Sequence, residues 1–212
     1  MKKKILVIAV HPDDEVLGCG GTIFKHRSQG DDVKVLFISG GNKDQKSYIL
    51  EVTSILDVSY ENLDLPDMYL ADKSLNEIIP MIAKCINEYK PEVLYIPNRS
   101  DVHSDHRAIF EAMIPFSKSF RYPFIKEIYM CEVHSETDLA LPLIENTFQP
   151  NCFVDISAYW EMKKKAMLVY ESELLEYPLT RSMSSIEAKN RYKGSLVSVE
   201  YAEAFQILKK VM

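Results

Sequence analysis

Residues 5–15 read ILVIAVHPDDE, an apolar run that ends abruptly in a proline followed by three acidic residues. Six consecutive apolar residues suit a strand that is buried on both faces, as in a parallel sheet covered by helices. Pro12 fixes its own φ and disfavours the helical region for His11, so the chain turns where the strand ends. The segment therefore predicts a first strand followed directly by a stiff, acidic turn.

The alternation of apolar strands and helical patterns continues over the first two thirds of the chain. We predict strands at residues 5–10, 33–39, 61–63, 93–97 and 127–132, and helices at residues 16–28, 46–56, 75–88 and 105–117. Such alternation is typical of βαβ units. The predicted fold class is α/β: a Rossmann-like, mostly parallel sheet with helices on both faces, formed by a single domain over residues 1–212.

The pattern is weaker after residue 150. We expect a helix at residues 157–170, capped by Asp155 or Ser157, and a further helical pattern at residues 201–210. Residues 150–212 are expected to cap the rim of an active site. Arg181 in this region is a candidate contact for an anionic or hydroxylated part of a substrate, and a structural ion pair is the alternative interpretation.

The composition argues against a nucleic-acid partner and against a membrane span. The net charge is −6, and the basic runs at residues 2–4 and 163–165 are short and expected to be solvated. No stretch approaches the roughly eighteen apolar residues of a membrane span, and the first apolar run is too brief for a signal peptide. Four widely spaced cysteines suit a reducing compartment, so we expect a cytoplasmic protein with Cys19 in the core.

Two segments carry side chains of the metal-ligand type: HPDDE at residues 11–15 and DVHSDH at residues 101–106. Each follows a predicted parallel strand, and open α/β sheets place their ligand sites at the carboxyl ends of such strands. A catalytic zinc ion usually takes three ligands from His, Asp and Glu and keeps one position open for water. His11, Asp14 and His106 can supply that set.

Acid–base groups lie beside these ligands in the sequence. Asp13 need not point the same way as the adjacent ligand, so it can take the proton of the attacking water. His103 and His106 are three residues apart, so one can bind metal while the other faces substrate. Asp101 or Asp105 can accept the second ring N–H of a histidine ligand. Each motif alone would more often be a helix cap or a solvated turn, but together they favour a metal-dependent hydrolase.

Further segments extend these motifs into the signature of one family. They are AVHPDDE at residues 9–15, GCGGT at residues 18–22, NRSDVHSDHR at residues 98–107, VDIS at residues 154–157, RS at residues 181–182 and YAEAF at residues 201–205. With them the chain resembles the PIG-L/LmbE-like N-acetylglucosaminyl deacetylases over nearly its whole length. It departs from the family in the residue between Ala9 and His11, at Tyr48, where an arginine is frequent, and at Met68, where Pro-Asp-Gly is common.

The resemblance implies a zinc-dependent N-deacetylase that hydrolyses the linear amide of a small-molecule N-acetylated amino sugar or its conjugate. It implies His11, Asp14 and His106 as metal ligands and Asp13 as the base. It also implies that His103 stabilises the oxyanion or protonates the leaving amine. Zinc (Zn²⁺) is the first choice of metal and iron (Fe²⁺) the alternative, because two histidines and one carboxylate also bind non-haem iron. Many members of the family form symmetric assemblies, so the resemblance also allows a homo-oligomer, and the sequence leaves the oligomeric state open.

Recognition of the rest of the substrate is assigned to loops at residues 40–45, 67–73 and 174–185, with Asp67 and Arg181 as candidate contacts.

Three alternatives remain: a hydrolase of another amide in a sugar–thiol conjugate, a silent sugar-binding protein, and a Rossmann nucleotide-binding domain that uses the glycines at residues 18–21. The nucleotide alternative is disfavoured because the carboxylates of the HPDDE turn would repel a pyrophosphate.

Overall fold

The computed structural model describes residues 2–212 and contains one sheet of seven strands. The strands are β1 (Lys4–Ala9), β2 (Asp32–Ser39), β3 (Ser59–Leu65), β4 (Val93–Ile96), β5 (Glu127–Cys131), β6 (Cys152–Asp155) and β7 (Ala202–Lys210). Their order across the sheet is β3-β2-β1-β4-β5-β7-β6. The pairs among β1 to β5 are parallel, whereas β7 runs antiparallel to both of its neighbours. The predicted α/β class with a mostly parallel sheet is confirmed.

Helices cover both faces of this sheet. They are α1 (Asp14–Ser28), α2 (Lys43–Leu56), α3 (Leu75–Tyr89), α4 (Ser104–Met113), α5 (Trp160–Met167) and α6 (Met183–Ser195). On one face, Ile5 and Val7 of β1 share a buried apolar cluster with α1, α2, α5 and α6. On the other face, Leu6 and Ile8 share a second cluster with α3 and α4. Because successive strand residues point to opposite faces and both are buried, β1 is apolar throughout.

Two predicted helices differ from the observed ones by three residues or more at one end. α2 begins three residues before its predicted start, because Asn42 and Gln45 form a capping box there. The helix predicted at residues 105–117 ends as α4 at Met113 and continues as a 3₁₀ turn over Ile114–Ser117. Pro115 lies in that turn, and a proline has no N–H to extend the α-helical hydrogen bonds.

The predictions for the C-terminal third need correction. Residues 201–210 were predicted as helical, but residues 202–210 form strand β7 instead, and β6 was not predicted as a strand. α6 lies in a stretch for which no helix was predicted. The helix expected at residues 157–170 is α5 flanked by 3₁₀ turns, and Asp155 accepts hydrogen bonds from Ser157 at its start.

The strand order reverses between β1 and β4, which are neighbours in the centre of the sheet. Connections run outward from β1 to β2 and β3, and from β4 to β5 on the other side. The crevice between the carboxyl ends of two such strands is where open α/β sheets bind ligands. The HPDDE segment follows β1 and the DVHSDH segment follows β4, so the fold brings both motifs to this crevice.

Within residues 2–212, none of the helices combines the length and the apolar character needed to cross a membrane.

Candidate metal centre

The turn after β1 is held by hydrogen bonds that its own acidic side chains accept. A carboxylate oxygen of Asp14 accepts the backbone N–H of His11 at 2.8 Å. Glu15 accepts the backbone N–H of Asp13 at 3.1 Å and the hydroxyl of Tyr170 at 2.7 Å. Asp13 has a φ of 137°, a value that residues other than glycine rarely adopt. Backbone strain of this kind persists where surrounding contacts enforce it, and it clusters at functional sites.

Three predicted ligands converge at the crevice. His11, Asp14 and His106 each offer a donor atom, and these atoms lie within 4.8 Å of one another. His106 Nε2 lies 3.3 Å from Asp14 Oδ2 and 3.3 Å from His11 Nδ1. Asp14 Oδ1 is buried and has no hydrogen-bond partner within residues 2–212. Two imidazoles, one carboxylate and an unsatisfied buried oxygen fit a divalent metal ion.

The electrostatics of this cluster favour a bound cation. Burial alone would lower the pKa of His11, but Asp105, Asp67 and Asp14 raise it to about 10. The pKa of His106 also lies well above its ordinary value, because Asp14 and Asp101 outweigh the effect of burial. The carboxylates thus stabilise positive charge at both imidazoles, and a metal ion competes with protons for the same nitrogen atoms.

Asp101 fixes the orientation of the His106 ring. His106 Nδ1 donates to Asp101 Oδ2 at 2.8 Å, and both residues are fully buried. The other oxygen of Asp101 accepts from Asn98 at 2.8 Å and from Thr137 at 2.6 Å. With Nδ1 occupied by this carboxylate, Nε2 is the nitrogen that remains for a metal ion. Of the two candidates from the sequence, Asp101 is therefore the one that contacts His106.

Asp105 and Asp67 both lie beside His11. His11 Nε2 is 3.0 Å from Asp67 Oδ1 and 3.5 Å from Asp105 Oδ2. The other oxygen of Asp105 accepts the backbone N–H groups of Leu70 and Ala71, which ties the loop after β3 to α4. Asp67, a candidate substrate contact in the sequence, is half-exposed and contacts this imidazole.

Asp13 forms an ion pair with Arg181. Arg181 Nη1 donates to Asp13 Oδ2 at 2.8 Å, and the same guanidinium lies 3.3 Å from Glu136 and 3.7 Å from Glu173. Burial and the neighbouring charge of Asp14 raise the pKa of Asp13 to about 7. A carboxylate with such a pKa is suited to accept a proton near neutral pH. The structural ion pair considered for Arg181 from the sequence is present.

His103 is the N-cap of α4, and its Nδ1 accepts the backbone N–H of Asp105 at 3.2 Å. Burial and the nearby His11 and His106 lower its pKa, which favours the neutral ring. In that state the ring proton resides on Nε2, since Nδ1 acts as an acceptor. His103 also lines the cleft above the ligand cluster, 4.5 Å from His11 between ring centroids.

The glycine-rich stretch of α1 does not present free backbone donors to a phosphate. The helix is kinked at Cys19, and the backbone N–H groups of Gly21 and Thr22 donate to the carboxylate of Glu203 at 2.9 and 2.7 Å. A Cβ on Gly21 would lie 2.8 Å from Ile156, so glycine allows close packing here. Cys19 itself is buried in the core, and contact with Cys131 and burial raise its pKa.

A cleft of about 550 Å³ opens over the cluster. Its lining includes five of the predicted site residues: His11, Asp13, Asp67, His103 and Arg181. The other four, Asp14, Asp101, Asp105 and His106, are buried. The sequence interpretation missed Glu136 and Glu173, since single acidic residues in loops give no motif. It also assigned no role to Glu15, although its place in HPDDE is a signal for one.

Fold and site together define an α/β protein with a His/Asp candidate metal centre at the switch point of its sheet. A family model described as PIG-L, GlcNAc-PI de-N-acetylase, matches residues 6–117, which is more than half of the chain. The chain belongs to this family.

Curated and structural relatives agree with that assignment. The chain is 25% identical over 230 residues to the diacetylchitobiose deacetylase of Thermococcus kodakarensis, covering 97% of this chain and 83% of the relative. It is 26% identical to the conserved protein TT1542 from Thermus thermophilus, with a TM-score of 0.78 and coverage of 99% and 96%. The N,N'-diacetylchitobiose deacetylase from Pyrococcus horikoshii has the same fold, with a TM-score of 0.77, 23% identity and coverage of 98% and 84%. The family match and the deacetylase relatives support an N-acetylglucosaminyl-type deacetylase.

Proposed function

We propose that this protein is a metal-dependent N-deacetylase that acts on an N-acetylated amino sugar or its conjugate. The observation that carries the proposal is the convergence of His11, Asp14 and His106, of which His11 lines a cleft of about 550 Å³ together with Asp13. The unsatisfied oxygen of Asp14 supports a metal ion as the missing partner. Family membership supports the acetamido group as the reacting group.

The metal would be held by His11, Asp14 and His106, with zinc as our first choice and iron(II) as the alternative. When bound, the ion supplies Lewis acidity for the amide carbonyl and lowers the pKa of a water molecule. Asp101 holds the His106 ring so that Nε2 faces the site, and Asp67 and Asp105 orient the His11 ring.

Asp13 is the proposed general base. It accepts a proton from the attacking water, whose oxygen adds to the carbonyl carbon of the acetamido group. Arg181 holds one oxygen of Asp13 at 2.8 Å, and Glu15 holds its backbone N–H. These contacts keep the carboxylate in one orientation, which is what a base needs to reach a bound water.

His103 is the proposed donor to the oxyanion. With its ring proton on Nε2 and its Nδ1 fixed by α4, it donates a hydrogen bond to the negative oxygen of the tetrahedral intermediate. The C–N bond then breaks as the amine takes the proton that Asp13 accepted from the water, and acetate leaves. The four cysteines are free, which supports the cytoplasmic location expected from the sequence.

The test is the release of free amine from N-acetylglucosamine glycosides by the metal-loaded protein, with and without a chelator. We expect activity that the chelator abolishes and that Asp13→Asn lowers by about a hundredfold or more in kcat, because the amide cannot accept the proton. Asp44→Asn, an exposed position on α2, serves as the matched control and retains activity. Full activity in Asp13→Asn, or no amine from any N-acetylated sugar, would contradict the proposal.

A further inference from the structure

The walls of the cleft carry an excess of negative charge. The carboxylates of Asp13, Asp67, Glu136 and Glu173 line it, and Arg181 is the one lysine or arginine among the lining residues that the structure describes. With every carboxyl group ionised and His11 neutral, as a metal-bound imidazole is, the four carboxylates and one guanidinium give a net charge of −3. Adding Asp14 and a divalent cation changes this to −2, so the site stays negative when it is loaded.

Arg181 does not make the cleft attractive to an anionic ligand, because its guanidinium is already paired with carboxylates of the protein. Three carboxylates surround its guanidinium at 2.8, 3.3 and 3.7 Å. A phosphate or carboxylate on the substrate would have to displace one of them and would meet the others at close range. Like charges placed opposite each other in this way discriminate strongly against a ligand.

The mouth of the same cleft is apolar. Met68, Leu139, Leu175 and Leu179 line it, and their side chains are 67%, 58%, 47% and 53% exposed. They come from three separate loops, after β3, after β5 and before α6, yet they border one opening. Grouped exposed apolar side chains next to convergent polar groups are typical of a ligand-binding groove. We call these four residues the apolar rim.

Met68 in this rim has a strained backbone. Its φ is 66°, in the left-handed region that glycine adopts without steric cost and that other residues rarely enter. A long apolar side chain therefore stands at a position where glycine would be easier to accommodate. Such an outlier beside a cleft points to a function of the side chain.

We propose, given the deacetylase function above, that the preferred substrate is an uncharged N-acetylated amino-sugar glycoside with an apolar or aromatic aglycone. The acetamido group lies at the ligand cluster, and the aglycone packs against the apolar rim. Conjugates that carry a phosphate or a carboxylate are rejected by the acidic walls of the cleft.

The first experiment compares kcat/KM for three substrates: the methyl and phenyl β-glycosides of N-acetylglucosamine and N-acetylglucosamine 1-phosphate. We expect the phenyl glycoside to exceed the methyl glycoside by about fivefold or more, because its ring gains apolar contact. We expect the phosphate to fall below the methyl glycoside by about tenfold or more, a difference that shrinks as salt is added.

Variants of the apolar rim and of the acidic walls test which residues cause the preference for the phenyl glycoside and the discrimination against the phosphate. Met68→Gly lowers the phenyl-to-methyl ratio by about fivefold without a loss of folding, since glycine suits the local φ. Phe120→Ala, which removes an 87% exposed side chain outside the cleft, leaves the ratio as it is. Glu173→Gln removes one wall charge and narrows the discrimination against the phosphate by about threefold.

The outcomes separate this inference from the function on which it rests. Equal turnover of the three substrates, or preference for the phosphate, would overturn the inference while the deacetylase function stands. An unchanged ratio in Met68→Gly together with a changed oligomeric state would assign the rim to a subunit interface instead. Turnover of none of the sugars would overturn the proposed function itself.

Discussion

Asp13 and Asp14 are adjacent and almost equally buried, yet their surroundings move their pKa values in opposite directions. Burial and the charge of Asp14 raise the pKa of Asp13 to about 7. Burial acts on Asp14 in the same sense, but the charges of His106 and His11 and their hydrogen bonds outweigh it and hold its pKa well below the usual range. When the pKa values of two neighbouring carboxyl groups are separated in this way, one group can accept a proton near neutral pH while the other stays ionised. This matches the proposed roles of Asp13 as the base and Asp14 as a metal ligand.

His134 is a buried imidazole outside this cluster. Its ring is 4% exposed, and neither ring nitrogen has a hydrogen-bond partner within residues 2–212. Burial, together with the positive charges of Lys189 and Lys163, lowers its pKa well below the ordinary value. The folded protein therefore keeps this ring neutral at a pH where the unfolded chain would protonate it.

This difference predicts an acid-dependent loss of stability that belongs to His134. Its folded pKa is depressed, so between about 6.5 and that lower value the unfolded chain binds more protons and the free energy of unfolding falls as the pH falls. At pH 5.5 the cost is about 1 kcal/mol relative to pH 7.5. Urea unfolding of the wild type and of His134→Leu at both pH values measures it. The variant should lack this part of the pH dependence, and parallel curves would contradict the explanation.

At the level of elements, α1 is joined to the C-terminal third of the chain by a buried ion pair. Lys163 of α5 lies 2.6 Å from Glu203 of β7 and also donates to the carbonyl of Leu17 in α1 at 3.2 Å. The same carboxylate caps the N–H groups of Gly21 and Thr22 after the kink. The expectation that Lys163 is solvated, like its basic neighbours, is wrong. Its side chain is buried in an ion pair with Glu203, which lies 40 residues further along the chain.

Removing one member of this pair should cost far more than removing both. Glu203→Gln leaves a buried ammonium group without its counterion, and we expect the free energy of unfolding to fall by about 3–5 kcal/mol. The double variant Glu203→Gln/Lys163→Met no longer contains the uncompensated charge, so we expect it to recover part of the lost free energy of unfolding. Lys164→Met, which breaks the partly exposed pair with Glu161 on the same helix, changes stability by less than about 1 kcal/mol.

Denaturant unfolding of these variants gives the comparison. A single variant no less stable than the Lys164→Met control, or a double variant less stable than Glu203→Gln alone, would contradict this account of the buried pair.

The elements that were predicted correctly are those whose sequence is dominated by local pattern. β1 and β2 are apolar runs buried on both faces, and α3 has a capping box at Ser74 that marks its start. β7 was mistaken for a helix because AEAFQILKK is rich in residues that favour helices. Its strand conformation comes from pairing with β5 and β6, and such non-local pairing overrides intrinsic preference.

For the whole molecule, the sequence predicted the candidate site better than it predicted the chain's C-terminal third. His11 and His106 are 95 residues apart, but both follow strands that a parallel sheet places side by side, so their meeting could be anticipated. The partners of Arg181 could not, because Glu136 and Glu173 lie in loops whose course depends on tertiary packing. The apolar rim is likewise a product of three loops.

One cation at the meeting point of the two motifs is the central claim, and a calorimetric titration of the metal-free protein with zinc tests it most directly. We predict a single ion per chain, with affinity reduced by about a hundredfold or more in Asp14→Asn and in His106→Gln. Asp31→Asn alters the Asp–His pair with His26 and serves as the matched control, with binding retained. Absence of zinc binding by the wild type, or full binding by both ligand variants, would contradict the central claim.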